Sequence, residues 1–161
     1  MAMHENIGQS DEWYTPKYIF DALDCYFDLD VASPKYRVFS HVPALEFFSE
    51  NSLSEKWFGF VWMNPPFGHQ KEKIKWLNKF INHNNGIALL PDRTSAPWWQ
   101  QSAKQMDAIL FVNGKIKFIR PDGSIGEQPG NGTTLFAKGS KAVNALLSAE
   151  RKGLGILLTK P

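Results

Sequence analysis

The chain has 161 residues, of which 43% are hydrophobic and 21% charged, and this predicts one globular domain spanning residues 1–161. It has no apolar run near the roughly 20 residues that span a bilayer, no apolar N-terminal stretch typical of a signal peptide, and one cysteine, Cys25. We therefore expect a cytoplasmic protein without a membrane segment, an internal disulfide or a metal site.

The formal net charge is +2, but it is distributed unevenly along the chain. Residues 1–60 contain 4 Lys or Arg and 10 Asp or Glu, a net charge of −6. Residues 61–161 contain 14 Lys or Arg and 6 Asp or Glu, a net charge of +8. The basic half is suited to contacts with phosphates, although a chance segregation of solvated surfaces is an equal alternative.

The first predicted elements are a helix and two short strands. Thr15 is expected to cap the helix and Pro16 to take its first position, because a hydroxyl at the N-cap and a proline at N1 are typical of helix starts. Apolar residues follow at near-helical spacing, namely Ile19, Phe20, Leu23 and Phe27. Strands are predicted over residues 28–32, where Pro34 stops the strand, and over residues 45–48.

The middle of the chain alternates strands and helices. The apolar run at residues 60–63 predicts a buried strand that ends abruptly at Asn64-Pro65-Pro66. A basic helix is predicted over residues 70–82, and a strand over residues 86–90 that also ends at a proline. A helix over residues 97–106 and a strand over residues 108–112 follow.

The last third predicts a strand pair, a helix and a final strand. The pair comprises residues 115–119 and 133–138, on either side of a loop rich in Gly and Pro, and the last two elements comprise residues 141–152 and 155–158. Alternating strands and helices, followed by a strand pair, predict an open α/β sheet with an antiparallel edge. Ligands bind such sheets at the carboxyl ends of the strands.

The motif Asn64-Pro65-Pro66-Phe67 has a composition suited to chemistry on an aromatic amine. The lone pair of such a nitrogen is delocalised into the ring, and two acceptors placed against its N–H groups favour the pyramidal form that exposes it. The amide oxygen of Asn64 and the backbone carbonyl of Pro65 can supply them. The prolines fix the loop before a substrate arrives, and Phe67 offers a face for stacking. A structural turn at a strand end is the alternative.

This motif after an apolar strand resembles the catalytic motif of amino-methyltransferases. The rest of the chain is similar to phage-type DNA N-6-adenine methyltransferases related to the Dam family, over residues 12–138. The matching segments, in chain order, are Trp13 with Thr15-Pro16, the acid-bearing strand at residues 28–32, the segment at residues 53–57 that ends in Trp57, the Asn-Pro-Pro-Phe loop, residues 90–94 with Trp98, and residues 114–118. No single segment is decisive, but the ordered set is specific.

The resemblance implies a Rossmann-like class I S-adenosylmethionine-dependent methyltransferase sheet with antiparallel C-terminal strands. It also implies that the protein transfers a methyl group from S-adenosylmethionine to the 6-amino group of adenine in double-stranded DNA, in the cytoplasm of a bacterial host cell. The residues implied at the cofactor are Trp13, Thr15, Pro16, Asp30, Ala32 and Asn51. Residues 32–34 differ from the glycine-rich loop usual in the wider fold, and Glu46 is the acid nearest a ribose-binding position.

DNA contacts are expected from the basic half. A base inside a duplex must leave the stack to reach a buried methyl donor. The predicted phosphate contacts are Arg93, Lys115, Lys117 and Arg120, near strand ends on the catalytic side. Two other functions stay open: a nucleic-acid-binding module with weakened catalysis, and an RNA amino-methyltransferase. The sequence leaves the recognition site and the oligomeric state open.

Overall fold

A computed structural model of the protein describes residues 13–66 and 70–161. Within these residues four helices accompany a single seven-stranded sheet, which confirms the predicted α/β class. The helices are α1 (Lys17–Leu23), α2 (Gln70–His83), α3 (Pro97–Ala103) and α4 (Ser140–Arg151). The strands are β1 (Phe27–Asp30), β2 (Ala44–Phe47), β3 (Val61–Met63), β4 (Gly86–Pro91), β5 (Ala108–Val112), β6 (Thr133–Lys138) and β7 (Gly155–Thr159).

The strand order is β2-β1-β3-β4-β6-β5-β7. The first four neighbours are parallel, and β6 is antiparallel to both β4 and β5, as β7 is to β5, so the predicted antiparallel edge is confirmed. From β1 the chain goes to β2 on one side and then crosses to β3 on the other. This reversal separates the connections that follow β1 and β3, and it opens a crevice at their carboxyl ends.

Both faces of the sheet are covered, which explains the uninterrupted apolar runs of its central strands. In β3, Trp62 belongs to the core shared with α1 and α4, whereas Val61 and Met63 belong to the core shared with α2 and α3. Strand β4 alternates in the same way, with Ile87 on the first face and Ala88 on the second. A strand buried on both faces has no polar positions to reveal a period of two.

Three local predictions are corrected. Pro16, in extended conformation, is the N-cap of α1 and makes no side-chain cap, so Thr15 does not cap this helix. Helix α3 ends at Ala103, three residues before the predicted end. Residues 115–119 form only isolated bridges, from Ile119 to Tyr14 and to Ile125. They cannot extend the sheet beside β5, because both edges of β5 are already paired with β6 and β7.

Candidate functional site

A cleft of about 180 Å³ lies at the crevice between the carboxyl ends of β1 and β3. Three loops line it: residues 31–35 after β1, residues 48–52 after β2 and residues 64–66 after β3, together with Trp13 and Trp76. Parallel strands end at the same edge, so the topology brings together segments that are distant in sequence. Polar side chains and aromatic rings both face this space.

The structure brings six of the predicted site residues into this lining: Trp13, Ala32, Asn51, Asn64, Pro65 and Pro66. Thr15, Pro16 and Asp30 lie outside the lining, although Thr15 contacts Asn64 directly. Phe67 lies outside the described residues, so its predicted stacking role stays a prediction. The two proline-bearing turns predicted at strand ends, after β3 and β4, do lie at one edge of the sheet.

The side-chain amide of Asn64 has two differently satisfied ends. Its Nδ2 donates to Thr15 Oγ1 at 3.2 Å, and the threonine is 4% exposed. Its Oδ1 is buried and has no hydrogen-bond partner within the described residues. Leaving a buried acceptor unpaired costs about 1–3 kcal/mol, so such atoms are rare and mark places where a ligand completes the hydrogen bonding.

Asp30 ends β1 beneath the cleft and is bound on both oxygens. Its Oδ2 lies 3.1 Å from Arg37 Nη1, and its Oδ1 accepts from the Ala32 N–H at 3.3 Å. Arg37 also donates to Ser33 Oγ at 2.8 Å. Burial raises the pKa of Asp30 to about 6, against the opposing effect of the Arg37 charge. The pair therefore fixes the loop after β1, where relatives of this fold use glycines to shape the backbone.

The loop after β2 is held by a lysine of α2. Asn51 has a positive φ of 55°, and its carbonyl accepts from the N–H groups of Ser54 and Glu55. Lys79 Nζ donates to the Ser52 and Leu53 carbonyls at 2.9 Å each. This lysine therefore stabilises the cleft wall from behind.

Glu50 is an acid of the cleft that sequence reasoning missed. The acid considered there, Glu46, lies within β2 opposite Leu29 and is exposed on the edge strand. The predicted strand boundary placed Glu46 too near the strand end. Counting from the observed end of β2 at Phe47, Glu50 is the first acid of the following loop, and that position was the available signal.

The predicted basic residues follow strands that end at the same edge as the cleft. Lys115 and Lys117 are exposed in the segment after β5, and Arg93 is exposed after β4. Arg120 is half-buried, donates to the Ile125 carbonyl at 2.6 Å and lies 5.9 Å from the centre of the Trp13 ring. Arg120 therefore connects the basic segment to the cleft lining.

Lys73 adds a cation that the sequence did not single out. Its Nζ lies 4.7 Å from the centre of the Trp98 ring. Partial burial and the neighbouring Arg93 charge lower its pKa. Trp98 and Trp99 themselves are 5% and 6% exposed, so both belong to the core rather than to an open stacking surface.

Over residues 13–66 and 70–161, no helix is both long enough and apolar enough for a membrane span. The same residues contain no group of three or more His, Cys, Asp or Glu arranged to hold a metal ion.

Fold and site together define an α/β protein with a ligand cleft at a topological switch point and a basic surface on the same edge. A family model described as DNA N-6-adenine-methyltransferase (Dam) matches residues 4–146. The chain belongs to this family.

One curated relative, named DNA N-6-adenine-methyltransferase, comes from Escherichia phage T1 and is 26% identical over 114 residues. The alignment covers 66% of this chain and 46% of the phage protein, so the chain spans about half the length of that relative. No solved structure matches the chain.

Proposed function

We propose that this protein transfers a methyl group from S-adenosylmethionine to the 6-amino group of adenine in double-stranded DNA. The observation that supports this most directly is the buried, unpaired Oδ1 of Asn64 within a cleft-lining loop. An acceptor without a donor is complementary to a ligand that brings N–H groups, and an exocyclic amine is such a ligand. Family membership supports adenine in DNA as the substrate.

Asn64 and the prolines act by positioning and electrostatics. Asn64 Oδ1 and the Pro65 carbonyl accept hydrogen bonds from the two N–H groups of the amine, which favours the pyramidal nitrogen with an available lone pair. Both prolines lack an N–H that would compete and have a fixed φ, so the loop needs little reorganisation. Phe67 stacks on the base that enters the cleft.

The described residues fit S-adenosylmethionine, which supplies the electrophilic methyl group. We assign the sheet to the Rossmann-like class I methyltransferase type, because the cleft lies at the strand-order reversal typical of nucleotide-binding sheets. Trp13, Ala32 and Asn51 line the binding space, with Glu50 suited to a ribose hydroxyl. Asp30, Thr15 and Pro16 support that lining from outside it, Asp30 through the Ala32 N–H.

DNA binds along the basic edge in this proposal. Arg93, Lys115, Lys117 and Arg120 contact phosphates, while the target adenine leaves the helix and enters the cleft. Residues 1–161 act as one methyltransferase domain, in the cytoplasm of a bacterial host.

A transfer assay with radiolabelled S-adenosylmethionine, run separately on DNA, RNA and protein, tests the proposed function. Label should enter DNA, and mass spectrometry of the digested product should give 6-methylaminopurine. Methylcytosine as the product contradicts the adenine assignment, and label in RNA alone favours an RNA amino-methyltransferase. DNA binding without transfer to any substrate favours a binding module with weakened catalysis.

A further inference from the structure

The two ends of the Asn64 amide are distinguished by a single contact. The Nδ2 atom donates to Thr15 Oγ1 at 3.2 Å, whereas Oδ1 has no partner within the described part of the chain. Amide oxygen and nitrogen are nearly equal in size, so packing alone barely distinguishes the two orientations related by a half-turn about the side-chain axis. Which atom faces the cleft is decided by hydrogen bonding.

The orientation matters because the proposed substrate is a donor. With Oδ1 toward the amine, Asn64 accepts an N–H and favours the reactive nitrogen geometry. With the amide reversed, its own NH₂ group faces the NH₂ group of the base, and neither has an acceptor. A reversed Asn64 is therefore expected to be an obstacle to turnover.

We propose that Thr15 is a positioning residue whose hydroxyl selects the productive orientation of the Asn64 amide. This inference rests on the proposed function, and it gives Thr15 a role other than direct contact with the cofactor. Two observations support it besides the hydrogen bond. Thr15 lies outside the cleft lining, and its hydroxyl is not used to cap α1, where Pro16 is the N-cap.

Thr15 is itself held firmly enough to serve as a reference point. Its neighbour Tyr14 exchanges two backbone hydrogen bonds with Ile119, each 2.9 Å long. On its other side Pro16 has a fixed φ and leads into α1, whose Ile19 is fully buried. Thr15 is 4% exposed and β-branched, so its side chain has few alternative rotamers.

The first test compares Thr15→Val, which keeps the shape and removes the hydroxyl, with Thr15→Ser, which keeps the hydroxyl. Thr15→Val should lower kcat about tenfold or more, and Thr15→Ser should stay within about threefold of the wild type. Calorimetric titration should give both variants the wild-type affinity for S-adenosylmethionine. Weakened cofactor binding with an unchanged kcat would instead make Thr15 a cofactor-binding residue and overturn the inference.

A second test uses the symmetry of a carboxylate. Asn64→Asp presents an oxygen in either orientation, so it has no wrong orientation for Thr15 to prevent. The tenfold penalty of Thr15→Val should therefore fall below about twofold when it is introduced into Asn64→Asp. An equal penalty in both backgrounds means that Thr15 supports only the local structure, and the inference is then wrong.

A third readout does not depend on activity. The side-chain NH₂ resonances of Asn64, assigned by comparison with Asn64→Asp, should shift and lose hydrogen-exchange protection in Thr15→Val but not in Thr15→Ser. Unchanged resonances in Thr15→Val would overturn the inference even if Asn64→Asp has no measurable turnover. A wild-type protein that methylates no DNA would contradict the proposed function, while these spectra would still report whether Thr15 orients the amide.

Discussion

At the scale of single residues, Asn64 has opposite effects on folding and on turnover. The buried Oδ1 lacks a partner in the described structure and so destabilises the fold, whereas in the proposed reaction the same atom binds the amine. Sites of this kind retain a local cost because the group is needed when substrate is present.

Asn64→Ala should lower the methylation rate by on the order of a hundredfold, about 2.7 kcal/mol, because the acceptor acts mainly as the nitrogen becomes pyramidal. Affinity for cofactor and DNA should persist, and the free energy of unfolding should change by less than about 1 kcal/mol, since an unpaired group is removed. Single-turnover kinetics, with exposed Asn78→Ala of α2 as the matched control, measures the effect. Full activity in Asn64→Ala would refute the proposed chemistry.

Asp30 and Arg37 couple the loop after β1 to pH. Because burial raises the pKa of Asp30 to about 6, above its ordinary 3.8, the folded protein binds this proton more tightly than the unfolded chain does. The contribution of Asp30 to stability is therefore largest below about pH 4 and is lost as pH rises through 6. Arg37 offsets that loss by pairing with the carboxylate.

Arg37→Met should destabilise the protein by about 3–5 kcal/mol at pH 8, where it leaves a buried carboxylate unpaired. The loss should be distinctly smaller at pH 5, where Asp30 is mostly protonated in the folded state. Denaturant unfolding at both pH values measures this difference. The double variant Asp30→Asn with Arg37→Met is the control, and its loss should not depend on pH. An equal loss at both pH values in the single variant would show that Arg37 acts only through packing.

At the scale of elements, the segment between β5 and β6 combines two surfaces. Ile116 and Phe118 are buried in the core shared with α1 and α4, while Lys115 and Lys117 between them point to solvent. This alternation is the pattern of a half-buried strand, and it explains the incorrect strand prediction. The extended segment covers the core and presents cations without joining the sheet.

Lys115→Glu with Lys117→Glu should weaken DNA binding and flatten its dependence on salt, because fewer counterions are released when two phosphate contacts are lost. The slope of log affinity against log salt should decrease in magnitude by roughly 2, near 0.9 for each lost contact. Lys104→Glu, exposed just after α3 at the opposite edge, is the control. An unchanged slope in the double variant would place the DNA elsewhere.

At the scale of the whole molecule, the sequence predicted elements better than it predicted contacts. Every observed helix and strand overlaps a predicted one, because periodicity and prolines are local signals. The Asn64–Thr15 hydrogen bond joins residues 49 positions apart, and nothing near either residue reveals it. The same holds for Lys79 behind the loop after β2 and for the Asp30–Arg37 pair, whose roles depend on which loops the sheet brings together.

The place of β6 between β4 and β5 has a consequence for biosynthesis. Leu89, Leu135 and Leu110 align across these three strands and are almost fully buried, yet the middle residue is synthesised last. A nascent chain that has passed β5 therefore has two strands with facing, unpaired edges and a gap where β6 belongs. Such edges invite aggregation and pairing errors, and non-local pairing of this kind slows folding. The catalytic loop thus leaves the ribosome about 70 residues before the sheet that supports it can close.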